Sequence, residues 1–251
     1  MPEGGELPVS SRDEMLGSIR NILRTKEKGV AGTVRPNLPP PLDGVMPRIP
    51  PDRLAERFEA ELESLGCNSH RVSSTLELEE KLCTILGQFH AQSVVLSRNP
   101  VLFQFRVDKM LEGRGLRVVR WPESKAEGPG NSSFQGECFD AGVGITGVDF
   151  ALAETGSLVL TSLTEGSQLT SLAPPVHIAL YRRSQLRASL DEVLKDLPVA
   201  CNPSKSSPAR SVVFISGTSR TADIEQILVR GVHGPRSVHT ILVDDSCLAG
   251  Q

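Results

Sequence analysis

Two short apolar segments joined by a helical pattern constrain the fold of this 251-residue chain more than any other feature of its sequence. Residues 93–96 and 116–121 have the length and apolar composition of buried strands. Between them, Pro100 suits the first turn of a helix that runs through Leu111 and ends at Gly113. Strands that alternate with helices favour a parallel sheet whose strands are connected by crossover helices. The sequence therefore predicts an α/β fold.

The same alternation continues through the rest of the chain. Apolar side chains recur at helical spacing over residues 54–65, which predicts an amphipathic helix. Another helix opens with a capping box, in which Ser74 is the N-cap and Glu77 lies three residues later. Further strands are predicted at 141–145, 158–161, 176–181, 211–216 and 240–243, helical turns at 149–154, helices after Ser189 and at 221–230, and loops at 122–136 and 199–209.

The amino-terminal part of the chain has a different character. Ser11 and Glu14 form a capping box for a short amphipathic helix at about 12–27. Seven of the 18 prolines lie between residues 35 and 52, which is typical of an extended linker. This arm is either a disordered tail or a helix that docks on the same chain, a second copy or a partner, since its apolar face needs cover. We predict a helix with a proline-rich linker over 1–50 and an α/β domain over 51–251.

Charge and hydropathy exclude several classes of protein. Lys and Arg total 27 and Asp and Glu total 30, so the net charge is −3, whereas a nucleic-acid-binding domain is usually strongly basic. No apolar run approaches the roughly 20 residues that span a bilayer, and the first ten residues lack the apolar stretch of a secretion signal. We expect a cytoplasmic protein that binds no nucleic acid and has no membrane span.

The five cysteines are widely dispersed. Their number is odd, they form no C-x-x-C motif, and they show no clustering with histidine. This pattern argues against a disulfide framework, a structural zinc site and a bound iron–sulfur cluster. We expect free thiols in a reducing compartment and no metal site. The cysteines are Cys67, Cys83, Cys138, Cys201 and Cys247.

The first candidate site is a glycine-rich segment where a predicted strand turns into a short helix. Backbone N–H groups at Gly142, Gly144 and Gly147 are expected to approach an anion there, and the helix dipole favours it. Downstream, the side chains of Asp149 and Glu154 meet only if this helix ends early. Two carboxyl groups in contact share a proton, which raises the pKa of one of them and suits acid–base chemistry. The alternatives are a tight turn without a ligand and a Glu154 carboxylate that caps or pairs structurally.

Three further segments place polar side chains at or between predicted strands. His177, inside an apolar strand, is either a satisfied core histidine or a catalytic base. At 216–225, hydroxyls, N–H groups and Arg220 converge at a predicted helix start, unless the segment is a plain capped helix. His233 lies in a glycine-flanked loop, where packing gives little reason for it. Because open α/β sheets bind ligands at strand carboxyl ends, we expect 142–147 and 216–225 to share one edge and bind a small anion.

These segments, taken in order, resemble the signatures of one family. Residues 144–157, Gly-Ile-Thr-Gly-Val-Asp-Phe-Ala-Leu-Ala-Glu-Thr-Gly-Ser, resemble the signature of the LUD domain, found in the lactate utilization protein C (LutC, YkgG-like) family. Residues 171–178 resemble its Ser-Leu-x-Pro-x-x-x-Ile segment. Residues 215–225 and 231–235 resemble its carboxy-terminal signature. The resemblance spans most of the chain and is strongest from about 140 to 245.

This resemblance implies a fold, a function and partners. The fold implied is that of the sugar-phosphate isomerase and CoA-transferase group, a mixed, mainly parallel sheet flanked by helices, here with an N-terminal helical arm. The function implied is a component of a system that oxidises L-lactate to pyruvate together with partners that have iron–sulfur and cysteine-rich motifs. We expect a ligand-binding or assembly subunit without a cofactor of its own, either alone or as a homo-oligomer.

Two positions depart from the family pattern. Gln168 replaces an Arg that precedes the Ser-Leu-x-Pro segment, which removes a charged fork for a carboxylate. Thr218 replaces the proline of a Gly-Pro-Ser turn. The alternative function is a stand-alone isomerase or transferase that acts on a CoA ester or phosphorylated small molecule, with Glu154 as nucleophile or base. We predict catalytic roles for Glu154, Asp149 and His177, and ligand binding by Gly142, Gly144, Thr146, Gly147, Thr155, Gln168, Ser219, Arg220, Thr221 and His233.

Overall fold

The computed structural model describes residues 12, 15–21, 48–121, 132–197, 211–222, 228–230, 233–244 and 247. The chain divides into two units, Met1–Pro47 and Arg48–Gln251. In the first unit, residues 15–21 are helical, in keeping with the predicted amphipathic helix. The capping box predicted for this helix and most of the proline-rich linker lie outside the described residues.

Strands and helices alternate through the second unit. Its described strands are β1 (Asn68–Val72), β2 (Ser93–Leu96), β3 (Arg117–Arg120), β4 (Val143–Thr146), β5 (Phe150–Leu152), β6 (Ser157–Thr161), β7 (Val176–Tyr181), β8 (Leu186–Arg187), β9 (Val212–Ile215), β10 (Arg220–Ala222), β11 (Leu228–Arg230) and β12 (Ser237–Val243). Its described α-helices are α1 (Leu54–Ser64), α2 (Thr75–Gln88), α3 (Pro100–Gln104), α4 (Val107–Gly113), α5 (Ser132–Asp140), α6 (Ser162–Glu165), α7 (Leu169–Leu172) and α8 (Leu190–Asp196). Short 3-10 turns lie at Pro51–Arg53 and Arg183–Gln185.

Six strands form an all-parallel sheet in the order β1-β12-β7-β4-β2-β3. A second sheet has the order β8-β5-β6-β9, in which only the β5–β8 pair is parallel. The predicted α/β fold, with a mainly parallel sheet flanked by helices, is therefore confirmed. The edge strand β1 was not predicted from the sequence. Val72 is its one fully buried residue, so the strand lacks an apolar run or alternation that would indicate it.

Helices α2, α3 and α4 share a core with one face of the parallel sheet. Ser74 begins α2 as predicted, since its Oγ accepts the N–H of Glu77 at 3.2 Å. Apolar positions three and four residues apart then line one face of this helix, and burying each such side chain stabilises the fold by about 1.5–3 kcal/mol. The buried side chains of α2 are Leu78, Leu82, Ile85 and Leu86.

The opposite face of the parallel sheet packs against the second sheet and α1. Phe58 of α1 contacts the buried Tyr181, with ring centroids 5.1 Å apart. Gly156, in the turn between β5 and β6, has a φ of +62°, and a Cβ there would lie 2.6 Å from the backbone nitrogen of Leu62. Glycine is required at this close approach. The β5–β6 hairpin is thus fixed against α1 at one end.

The helical turns predicted over 149–154 are wrong. Residues Phe150–Leu152 form β5, which pairs with β6 and β8, and a turn follows at 153–156. Ala151 and Ala153 contact the core between the sheets, whereas Leu152 contacts a core on the far side. Because both faces of this strand are buried, its apolar residues show no alternation with polar ones, and the pattern resembles that of a buried helix.

The helix predicted over 221–230 is also wrong at residues 221–222 and 228–230, which the structure describes as strands. Strands β10 and β11 lie at its two ends and pair antiparallel, with Arg220 opposite Arg230 and Ala222 opposite Leu228. Residues 223–227 lie outside the described part. Strand pairing overrides the weak local preference of this segment for helix.

Two smaller predictions need correction. The helix predicted from Pro100 to Gly113 divides into α3 and α4 at Arg106, which has a left-handed φ of +50°. The loop predicted over 122–136 contains the start of α5, in which Phe134 and Cys138 are buried four residues apart. Neither α5 nor any other helix of the described residues is long and apolar enough to cross a membrane.

Candidate functional site

The order of the parallel strands reverses between β2 and β4. Strand β3 lies on one side of β2, whereas β4, β7 and β12 follow on the other. Ligands of open α/β sheets bind in the crevice outside the strand carboxyl ends at such a topological switch point. Ser97 and Asn99 follow β2 here, and Thr146 and Gly147 lie at the end of β4. We call this region the switch-point crevice.

The side chain of Glu165, at the end of α6, occupies the switch-point crevice. Glu165 is 1% exposed, and Asn99 Nδ2 donates to its Oε1. The backbone N–H of Arg98 donates to the Glu165 carbonyl at 3.2 Å, and Asn99 Oδ1 accepts the N–H of Val101 at 3.0 Å. Gly147 packs so closely on Asn99 that a Cβ would lie 2.2 Å from the Asn99 Cγ. The Glu165 carboxyl is therefore held on a rigid support.

Asp149 is linked to Glu165 by a shared hydroxyl group. The Thr164 Oγ1 lies 2.8 Å from Asp149 Oδ2 and 3.3 Å from Glu165 Oε1. Asp149 Oδ2 also accepts the backbone N–H of Thr161 at 2.7 Å. We call Asp149 and Glu165 the carboxyl pair.

The environment of the carboxyl pair favours a bound proton. Burial is the main cause that raises the pKa of Glu165, hydrogen bonds from Ser97 and Asn99 oppose it, and the nearby Asp149 charge adds to it. The resulting pKa is about 7. Burial also raises the pKa of Asp149, although hydrogen bonds from threonines oppose it. A carboxyl with such a pKa exchanges its proton near neutral pH, which suits general acid–base chemistry. Within the described ranges, no three His, Cys, Asp or Glu side chains are arranged to hold a metal ion.

His177 lies beside this crevice on β7 and is fully buried. Its Nε2 is 2.8 Å from Thr146 Oγ1. Burial, with a smaller contribution from the neighbouring His239, lowers the pKa of His177 to about 3, so the imidazole is neutral at physiological pH. Of the two interpretations, this arrangement favours the core histidine that positions Thr146 over a freely titrating base.

The glycine turn predicted at 142–147 is wrong. Gly142 lies at the amino end of β4, where a Cβ would contact Ala91 Cβ at 3.4 Å. Gly144 lies inside β4, where a Cβ would be 1.8 Å from the carbonyl oxygen of Thr170. Because the chain continues as β5 rather than as a helix, no helix dipole points to an anion here. These glycines serve close packing in and beside a strand.

Asp149 and Glu154 do not meet, because they lie at opposite ends of β5. Asp149 precedes the strand at the switch-point crevice, and Glu154 follows it in the hairpin turn. Glu154 Oε2 accepts the N–H of Leu190 at 3.1 Å, at the first residue of α8. The contacts of Glu154 therefore favour the structural capping role that the sequence left open for it. The shared proton expected for Asp149 and Glu154 is excluded by this geometry.

Hydroxyl side chains gather at the far end of the hairpin. Thr155 Oγ1 lies 2.7 Å from Ser157 Oγ, which in turn lies 2.5 Å from Ser216 Oγ. Ser219 Oγ accepts the backbone N–H of His233 at 3.3 Å. We call Thr155, Ser157 and Ser216 the hydroxyl cluster, and Ser219 follows Ser216 three residues later. The hydroxyl cluster brings together segments that are distant in sequence.

The predicted site residues are thus divided between two places. Thr146, Gly147 and Asp149 lie at the switch-point crevice, with Gly144, His177 and Gln168 on the adjoining β4, β7 and α7 cap. Thr155 lies in the hydroxyl cluster. Ser219 contacts His233 in the segment after the cluster residue Ser216, and Arg220 and Thr221 begin β10. Gly142 and Glu154 belong to neither place. The prediction that 142–147 and 216–225 share one edge of the sheet is wrong. The N–H of Ser219 donates to the carbonyl of Pro235, which lies close to the amino end of β12, whereas Thr146 and Gly147 lie at the carboxyl end of β4.

Sequence reasoning missed three residues of the crevice. Asn99 directly follows a predicted strand and precedes Pro100, which are the signals of a helix N-cap at a strand carboxyl end. Thr164 and Glu165 follow another strand, but nothing in their spacing distinguishes them from surface polar residues. Their importance arises from the tertiary contact between α6 and the residues after β2.

Comparison with known proteins gives a consistent set of relatives. A sequence model of the LUD domain matches residues 55–243. A lactate utilization protein C from Halalkalibacterium halodurans is 32% identical over 67% of this chain and 70% of that protein. A lactate utilization protein C from Shouchella clausii is 29% identical over 94% of this chain and 99% of that protein. The uncharacterized protein YkgG from Escherichia coli is 30% identical over 75% of this chain and 78% of that protein.

A solved structure shares the fold. The crystal structure of a DUF162 family protein from Deinococcus radiodurans matches 78% of this chain and 99% of its own, with a TM-score of 0.50 and 22% identity. Fold and crevice define the class as an α/β protein with a switch point between β2 and β4 of its parallel sheet. Within that class, the chain belongs to the LUD domain family, whose model covers most of it.

Proposed function

We propose that this protein acts in lactate utilization, as a subunit that binds a small anionic ligand. The single observation on which the proposal rests is the match to a relative named lactate utilization protein C over 94% of this chain and 99% of that relative. Because the match covers nearly the whole of both chains, it favours a shared role.

The switch-point crevice supports the ligand-binding part of this proposal. It lies where open α/β sheets bind their ligands, and it combines the carboxyl pair with the amide of Asn99. Binding sites commonly contain a few convergent polar groups and a carboxyl with a perturbed pKa. The crevice has both features.

Partner proteins complete the proposed function. Oxidation of L-lactate to pyruvate releases two electrons and two protons, so the reaction needs an electron acceptor. We assign that task to partner subunits with iron–sulfur and cysteine-rich motifs. In this proposal the present chain binds the ligand or holds the assembly together.

The alternative, a stand-alone isomerase or transferase with Glu154 as nucleophile, has less support. The Glu154 carboxylate accepts the N–H of Leu190 and caps α8, so it is engaged in a structural contact. The glycine turn expected to hold a phosphate is absent from β4 and its surroundings, since β5 follows in place of a helix. A CoA ester or sugar phosphate that raises the melting temperature of the isolated chain would favour this alternative.

Gene deletion tests the proposed function. In a host without other lactate dehydrogenases, deletion of this gene should abolish growth on L-lactate as sole carbon source and leave growth on glucose unchanged. Expression of the full chain should restore growth, and a tagged copy should co-purify with proteins that contain cysteine clusters. Normal growth of the deletion strain on L-lactate would refute the proposal.

A further inference from the structure

A second pocket lies at the carboxyl ends of β1 and β12, and we call it the β1–β12 pocket. Its volume is about 190 Å³, below the roughly 300–1,000 Å³ of pockets for drug-sized ligands, so it suits a small molecule. Strand β7 separates β12 from β4, so this pocket and the switch-point crevice occupy different parts of the sheet edge. Four charged side chains and two apolar ones line it: Arg71, Glu77, Arg183, Asp244, Val72 and Leu242.

The guanidinium of Arg71 is held in a fixed orientation beside this pocket. Its Nε donates to Glu59 Oε1 at 2.8 Å, and its Nη2 donates to Glu59 Oε2 at 2.7 Å. The hydroxyl of the buried Tyr181 donates to the same Glu59 carboxylate at 3.4 Å. Two parallel hydrogen bonds fix the plane of a guanidinium and use two of its five N–H groups. Arg71 therefore has three further N–H groups with which it can bind a ligand.

A second guanidinium reaches the pocket from the turn after β7. The Nε of Arg183 lies 3.9 Å from Asp244 Oδ2, which is beyond hydrogen-bond distance. The side chain of Arg183 is 49% exposed. Because this ion pair is long, the N–H groups of Arg183 can turn to another acceptor in the pocket. Two arginines from different strands thus line one small space.

The pocket also contains two carboxylates, which limit the kind of ligand it accepts. Glu77 accepts the backbone N–H of Ser73 at 2.8 Å and the Ser73 hydroxyl at 2.9 Å. These hydrogen bonds hold the pKa of Glu77 below its usual value, so it is ionised at neutral pH. With Asp244, the two acids balance the charge of the two arginines. An anion such as phosphate would meet repulsion as well as attraction here, whereas a neutral molecule with two opposite charges finds a partner for each.

We propose that the β1–β12 pocket binds a small zwitterion, an α-amino acid with a short apolar side chain. The amino-acid carboxylate binds Arg71 and Arg183, because a guanidinium matches the geometry of a carboxylate. The ammonium group binds the carboxylate of Asp244. Val72 and Leu242 supply an apolar wall for the amino-acid side chain. This proposal rests on the pocket alone and is independent of the role in lactate utilization.

Calorimetric titration of the full chain with L-alanine tests the proposal. L-Alanine should bind at millimolar concentration. Propionate lacks its ammonium group and ethylamine lacks its carboxylate, so each should bind about tenfold more weakly or less, since each loses a charge-assisted hydrogen bond. Inorganic phosphate and L-lactate, titrated in the same way, should also bind more weakly than L-alanine.

Substitutions in the pocket should separate the two ends of the ligand. Asp244→Asn should weaken L-alanine binding about tenfold and strengthen propionate binding, because it removes both the partner of the ammonium group and the charge that repels the anion. A purely structural effect of this change would move both affinities in the same direction. Arg183→Gln should weaken both ligands about tenfold, as should Arg71→Lys, which keeps the charge and loses the planar fork.

Matched controls and three outcomes decide the question. Arg53→Gln and Asp191→Asn change exposed charges outside the pocket and should bind L-alanine as wild type does. Failure of glycine, L-alanine, L-valine and L-leucine alike to bind at millimolar concentration would overturn the proposal. Tighter binding of phosphate or L-lactate than of L-alanine would overturn it too, since the pocket would then select anions. Wild-type L-alanine affinity in both Asp244→Asn and Arg183→Gln would show that the amino acid binds elsewhere.

Discussion

At the scale of single residues, Glu165 has the environment that differs most from that of an ordinary glutamate. It is almost completely buried, its neighbour Asp149 is also acidic, and only one of its oxygens is hydrogen-bonded by the described residues. Burial of this kind raises the free energy of the ionised form. Residues that reduce stability for this reason are common at functional sites, where activity requires the unfavourable group.

Replacement of Glu165 by Gln should stabilise the protein at high pH. With the folded pKa raised to about 7 from 4.5, the unfolded chain releases the proton first as pH rises. The free energy of unfolding of the wild type therefore decreases as pH rises from 4.5 to 7. Each unit by which the folded pKa exceeds the unfolded pKa corresponds to about 1.4 kcal/mol. We expect Glu165→Gln to gain about 1–3 kcal/mol over wild type at pH 8 and nothing at pH 4.5.

Urea denaturation at the two pH values measures this difference. The control is Glu80→Gln on the exposed face of α2, which should change stability by less than about 0.5 kcal/mol at either pH. A Glu165→Gln protein that is less stable than wild type at pH 8 would show that the ionised carboxylate is a stabilising structural group.

At the scale of elements, β4 is the strand on which the site is built. It lies between β2 and β7, and α7 packs on it so closely that position 144 accepts glycine alone. The β5–β6 hairpin then brings Asp149 to the carboxyl end of this strand and the hydroxyl cluster to its own far end. Strand pairing thus determines which polar residues meet.

The substitution Gly144→Ala tests this packing. The new Cβ would lie 1.8 Å from the Thr170 carbonyl oxygen, so α7 must shift. We expect a loss of about 3 kcal/mol, seen as a melting temperature lower by about 6–12 °C. The control is Gly87→Ala in α2, where no atom lies within 4 Å and alanine favours helix, so stability should stay level or rise by up to about 1 kcal/mol. Equal melting temperatures for the two variants would contradict the packing described for β4.

Hydrophobic periodicity and helix caps were sufficient to predict helices with one buried face and a local cap, and strands with a continuous apolar run. The apolar face of α2 and its Ser74 cap, and the apolar runs of β2 and β7, are visible in the sequence because burial follows a simple period there. The same reasoning failed for β5, where both faces are buried, and for β10, whose antiparallel pairing with β11 overrides the helical pattern of the segment. The error over β5 carried through to the predicted site. Because β5 is a strand, it separates Asp149 from Glu154 and leaves Asp149 beside Glu165.

At the scale of the whole molecule, the described core belongs to the second unit. Every buried apolar residue of the described chain lies at Ala55 or beyond, and Ile49 packs against that core from just before α1. The helix at 15–21 in the first unit has Met15 and Ile19 exposed. The docking role that the sequence suggests for the amino-terminal arm stays a prediction, with a disordered tail as the alternative.

Removal of residues 1–47 should separate folding from assembly. We expect the truncated chain to keep the wild-type melting temperature within about 2 °C, because every buried apolar residue that the structure describes lies beyond residue 47. We expect it to lose co-purification with partner proteins or self-association. Light scattering after size-exclusion chromatography, together with pull-down from the native host, measures both. A shortened chain that assembles as the full chain does would exclude the docking arm.

The position of β12 in the parallel sheet has a consequence for synthesis of the protein on the ribosome. This strand lies between β1 and β7, so that Ser69 and Thr240, 171 residues apart, become neighbours. At ~5–20 residues per second, roughly 10–30 seconds pass between translation of the two strands. Until β12 emerges, β1 and the later-made β7 each lack the partner strand that pairs with them in the folded sheet, and such unpaired edges attract other chains. The nascent protein is therefore a natural client for chaperones, and expression at low temperature with slow initiation should raise the yield of folded protein.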